Sequence, residues 1–106
     1  MPKFLIQASY TSEGLKGLQK DKASGRKAAV SAAAEAAGGR VEAMYYCLGH
    51  DDVIVVVDMP DAIAATALSV TASASGLVHT KTTALLSVEE ADKALSKSIS
   101  YRAPGR

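Results

Sequence analysis

A chain of 106 residues has the usual size of one domain, long enough for a single core and too short for two. Apolar residues at 48% and charged residues at 22% are globular usage, far from the composition that keeps a chain disordered. Twelve Lys and Arg against eleven Asp and Glu leave a net charge of +1, so no overall field gathers the chain onto nucleic acid or an anionic membrane surface.

Residues 3 to 10, KFLIQASY, set Phe4, Ile6, Ala8 and Tyr10 against Leu5, Gln7 and Ser9, the alternation of a first strand. Thr11 and Ser12 can cap a helix after it, with Leu15 and Leu18 as an apolar pair, while Gly14 and Gly17 predict a loose start. Ser24 to Ala37 is almost all helix former and ends at Gly38-Gly39, as a C-terminal cap does. Arg40 to Leu48 alternates Val41, Ala43, Tyr45 and Cys47 against Glu42, Met44, Tyr46 and Leu48, so a second strand is largely apolar on both faces.

Gly49, His50 and Asp51 predict a tight connection, with Gly49 at positive φ and Asp52 capping the turn through its side chain. The β-branched run Val53 to Val57 reads as a central strand covered on both sides. Asp61 is an N-cap for a second helix with Ile63, Ala67, Val70 and Ala74 on one apolar stripe, closed by Gly76. Leu77 to Ala84 gives a fourth strand with His79, Lys81 and Thr83 on a polar face. Ser87 and Glu90 form a capping box for a short C-terminal helix through Val88, Ala91 and Leu95. Residues 98 to 106 have no periodicity and form a tail to the single domain 1 to 106.

This order predicts an α+β fold of the ferredoxin-like βαββαβ kind, a four-stranded antiparallel sheet with both crossover helices on one side. The other side is left bare while the second and third strands are apolar on both faces, so a second copy is expected to cover it. The expected assembly is a homodimer or a larger even oligomer. The lone Cys47 reads as a small core residue of an intracellular chain, and the short apolar start, broken by Gln7 and Ser9, reads as neither signal peptide nor membrane span. The expectation is a cytoplasmic protein with no membrane partner.

With that order in hand, Gly49-His50-Asp51-Asp52 followed by Val53 to Asp58 resembles the signature of the GYD-domain family, in which glycine, tyrosine and aspartate lead into a Val-rich strand. Phe4-Leu5-Ile6 with Tyr10-Thr11-Ser12-Glu13-Gly14, Thr82 to Ser87, and Ser100 to Gly105 are similar to the opening and closing segments of the same family, so the resemblance spans nearly the whole chain. It departs at one place: where the family has its tyrosine, the chain has Asp51. The resemblance implies a dimeric α+β barrel, a shape shared with small isomerases, cofactor-free monooxygenases and ligand-sensing domains, and it implies no reaction.

His50 and His79 are the only side chains that titrate near neutrality when unperturbed, which makes them the candidate catalytic acids or bases. His50 with Asp51 and Asp52 reads as a solvated turn, since consecutive residues rarely converge on one metal, and no metal or other cofactor is expected. A ligand site is expected where the polar faces of the first and fourth strands merge, from Gln7, Ser9, His79, Lys81 and Thr83, with Tyr45 or Tyr46 at the junction. Lys16, Lys20, Lys22, Arg26 and Lys27 lack interleaved aromatics and read as a solvated helix face, not as a nucleic-acid site. The functional expectation is non-catalytic or regulatory binding of a small molecule or partner protein. The alternatives are a cofactor-independent isomerase or monooxygenase with a histidine base, and a purely structural oligomer.

Overall fold

A computed structural model describes the chain from Met1 to Arg106. Its elements run β1 (Lys3–Tyr10), α1 (Ser12–Ala36), β2 (Arg40–Tyr46), β3 (Val53–Asp58), α2 (Ala62–Ala74), β4 (Val78–Leu85) and α3 (Val88–Leu95). The strands form one four-stranded sheet in the order β2-β3-β1-β4, every neighbouring pair antiparallel. β1 and β3 are therefore central, as the β-branched run of β3 predicts, and β4 is an edge.

Register fixes the faces, because residues paired across an antiparallel ladder point to the same side. Phe4 pairs with Val57, Ile6 with Val55 and Ala8 with Val53. With Met59 and Ala65 these residues form the buried core under the helices. Val57 and Met59 are wholly enclosed, a burial that stabilises the fold by about 1.5–3 kcal/mol for each side chain. Between Val41 and Ala43 the β2–β3 register slips by a residue, which puts Glu42 at a bulge.

α1 starts where the sequence predicts, Thr11 accepting a hydrogen bond from the Gly14 amide at 3.2 Å. It is two helical segments and not a loose turn followed by a helix, the two joined by a break at Lys22, whose φ of 64° and ψ of 169° are non-helical. A non-glycine residue held at positive φ costs on the order of 1–2 kcal/mol. Gly14 presses against the Leu77 carbonyl, and that carbonyl also accepts from the Thr11 amide at 2.9 Å, so the start of α1 is sewn to the start of β4.

The sequence stripe on α2 is turned the wrong way. Ile63 and Val70 are 80% and 60% exposed, and the sheet-facing side is Ala64, Ala65, Leu68, Ser69, Ala72 and Ser73. α2 carries no charged residue, so its pattern does not say which apolar face goes in. Hydrogen bonds of Ser69 to Thr82 and of Ser73 to Thr80 fix the choice, with small Ala65 permitting close approach. Gly49 also departs from expectation. Its φ is not positive and nothing lies near its missing Cβ, because residues 47 to 52 make a longer loop than a tight turn.

α3 has the capping box its sequence announces, Ser87 and Glu90 each serving the other's backbone amide. Beyond β4 the chain leaves the body: Val88, Leu95, Ile99 and Tyr101 are all about four-fifths exposed. The radius of gyration is 16.8 Å and the long axis 56 Å, against about 13 Å for the radius of a compact chain of this length.

Candidate functional site

The helix-free face carries the polar stripe expected from sequence. Gln7 pairs with Lys81, Ser9 with His79 and Leu5 with Thr83, so all these side chains share one side of the β1–β4 ladder. Tyr45 pairs with Ile54 and lies on this face, 67% exposed. Tyr46 pairs with Val53 and lies on the other face. The two tyrosines are adjacent in a strand, so only one can join the stripe.

The centre of the stripe is Asp51, which sequence reasoning left in a solvated turn. The 47 to 52 loop folds back so that its carboxylate accepts from Gln7 Nε2 at 3.1 Å and Ser9 Oγ at 3.4 Å, with Lys81 Nζ 3.4 Å away. Its side chain is only 12% exposed, whereas His50 beside it, Nδ1 3.7 Å from Oδ1, is 90% exposed. Nothing in the sequence period could reveal Asp51, because the contact depends on where an irregular loop closes. His79 is exposed on the edge strand and faces no enclosed space. No group of three or more His, Cys, Asp or Glu is placed to hold a metal ion.

Asp52 faces the other way and does structural work: its carboxylate accepts from the Tyr10 amide at 2.8 Å, and its own amide donates to the Ala8 carbonyl at 2.9 Å. It ties the loop to the end of β1. A charge cluster closes the opposite end of the sheet. Lys3 Nζ donates to Asp58 Oδ1 at 2.7 Å and to Glu42 Oε2 at 2.9 Å, while Arg40 Nη2 stands 2.7 Å from Asp58 Oδ2. The Lys3 hydrogen bond holds the buried Asp58 carboxyl below the usual carboxylate range, and the same bond, with that to Glu42, raises Lys3.

A partly open apolar space lies on the helix-bearing side. A cavity of about 200 Å³ opens between α1, α2 and the inner sheet face, lined by Ile6, Val55, Val30, Leu68 and other apolar groups. Arg26 is the only charged residue on its wall, and Tyr10, Ser69, Thr71 and Thr80 complete the polar part. Tyr46 stands by Tyr10 on this side; partial burial first, and then the Tyr10 phenol, push its hydroxyl up to about 12. Arg26 belongs to the stretch that reads as a solvated helix face. The break at Lys22 resets the helical phase one turn before it, a change that no one-dimensional period carries.

Together these features define a small α+β protein whose four-stranded antiparallel sheet is helix-covered on one side and open on the other. The model of the GYD domain matches residues 4–95, and the chain belongs to that family. No curated protein and no solved structure matches it. Thr11, Gly14 and Asp52, all within the segments that resemble the family's motifs, serve as joints between β1, α1, β4 and the 47 to 52 loop. No helix is long and apolar enough to cross a membrane.

Proposed function

We propose that the chain is a non-catalytic, cytoplasmic binding protein that holds a small molecule between its helices and its sheet. The observation that carries this reading is the apolar cavity of about 200 Å³ with a few polar groups on its wall, the usual composition of a small-molecule site. Catalysis by His79 or His50 is the weaker reading. General acid–base chemistry needs a histidine oriented beside bound substrate, and both histidines are exposed and lie on the side away from the cavity. A purely structural oligomer would have no use for the cavity.

The active form is a homodimer, sheet face to sheet face, in a ferredoxin-like α+β barrel. Leu5, Ile54, Val56, Ala43 and Tyr45 make the open face apolar at its centre, a patch that soluble monomers seldom leave bare. Only eleven of 106 residues are buried in the single chain, too few for a domain of this size, and the exposed stripe of α3 adds further surface for the partner to cover. The Asp51-centred stripe of Gln7, Ser9, His79, Lys81 and Thr83 then lies between the sheets, where its polar groups set the register of the two copies.

One sample tests both parts. Sedimentation of the wild type is expected to give a dimer at micromolar concentration and Val56→Asp a monomer. Ligand-observed NMR with a panel of small apolar fragments is expected to give hits that disappear in Leu68→Phe. A monomeric wild type overturns the assembly; a panel without hits, or hits indifferent to Leu68→Phe, overturns the cavity as the site.

A further inference from the structure

We propose that the cavity takes a small monocarboxylate with an apolar body, its carboxylate on Arg26 at the mouth and its hydrocarbon or aryl group among Ile6, Val30, Val55 and Leu68. This rests on the cavity being the ligand site and adds the chemical class of the occupant.

Size restricts the body. An apolar cavity of about 150 Å³ holds benzene, so about 200 Å³ has room for a phenyl ring or a chain of roughly six carbons as the buried body. Apart from Arg26, Tyr10, Ser69, Thr71 and Thr80, every residue lining the cavity is apolar, so most of the occupant must be apolar.

Charge restricts the head group. The Arg26 side chain is 33% exposed, and its one ion-pair neighbour, Asp21, is a long 3.9 Å away. At that length the pair is weak, and the guanidinium fork remains open to a carboxylate, whose geometry it matches in a bidentate pair. Tyr10 lines the same wall, and the neighbouring Tyr46 hydroxyl, raised to about 12, stays protonated through the neutral range. The head-group end therefore offers one cation with a phenol close by. A phosphate dianion calls for more cationic or amide donors than a single arginine supplies, which favours the monoanion.

Titration calorimetry on the full chain compares hexanoate and phenylacetate with the neutral hexanamide and 2-phenylethanol, and with inorganic phosphate. Both carboxylates are expected to bind at least tenfold more tightly than their neutral counterparts and than phosphate. Arg26→Gln, with its fold checked by circular dichroism, is expected to remove that advantage while leaving neutral binding within twofold. Ala72→Leu, or Ala33→Val should the first not fold, is expected to weaken carboxylates and neutral compounds together. Neutral compounds binding as tightly as carboxylates, or phosphate binding more tightly, overturns the monocarboxylate class while leaving the cavity as a ligand site. No binding by any probe to the wild type overturns the class and the site together.

Discussion

Replacing Asp52 by alanine removes the carboxylate that accepts the Tyr10 amide at 2.8 Å and leaves that donor, at the last residue of β1, without its partner. A hydrogen bond to a charged group contributes about 1.5–3 kcal/mol. Asp52 is half-buried, so water can recover part of this and the expected loss is about 2 kcal/mol. For a chain of this size that corresponds to a fall in Tm of about 8–16 °C. Asp52→Asn keeps an oxygen acceptor without its charge and should lose about half as much. Asp51→Ala is the contrast: its partners Gln7, Ser9 and Lys81 lie on an open face and can turn to water, so the cost in the isolated chain stays below about 1 kcal/mol. Urea unfolding followed by circular dichroism, with each substitution placed in the monomeric Val56→Asp background so that the open face stays in water, gives all three values. An Asp52→Ala midpoint equal to that of the background, or an Asp51→Ala loss larger than that of Asp52→Ala, would refute the assignment of Asp52 as the joint and Asp51 as the surface hub.

Gly14→Ala drives a Cβ into the Leu77 carbonyl and should cost about 1–3 kcal/mol, whereas Gly17→Ala, with nothing near its Cβ, should gain about 0.5–1 kcal/mol from helix propensity; equal effects in thermal melts would count against the sewn joint. Asp58 titrates lower in the folded chain than in the unfolded one, so its contribution is present above about pH 4 and lost as the pH falls through its depressed value. Lys3 is raised, so its contribution holds below about pH 10.4 and is lost as the pH climbs through its raised value. Thermal melts across pH should show both limbs, with Asp58→Asn flattening the acid one; an unchanged acid limb in that variant would sink the assignment.

The one-dimensional pattern determines everything here that depends on near neighbours in the chain. Period-two alternation marks β1 and β4, the β-branched run marks β3 as central, and Thr11, Asp61 and Ser87 mark three helix starts because each cap acts within three residues of itself. Antiparallel pairing of β1 with β4 follows from element order, and with it the common face of Gln7, Ser9, His79 and Lys81. What tertiary structure alone decides is phase and closure. Which apolar face of the uncharged α2 turns inward depends on Ser69 and Ser73 meeting threonines of β4. The break at Lys22 resets the phase of α1 and brings Arg26 to the cavity wall, and the path of the 47 to 52 loop carries Asp51 to residues more than forty positions away in the chain. Local free energies fix the elements, but a cavity and a carboxylate hub form only when elements distant in sequence come to rest against one another.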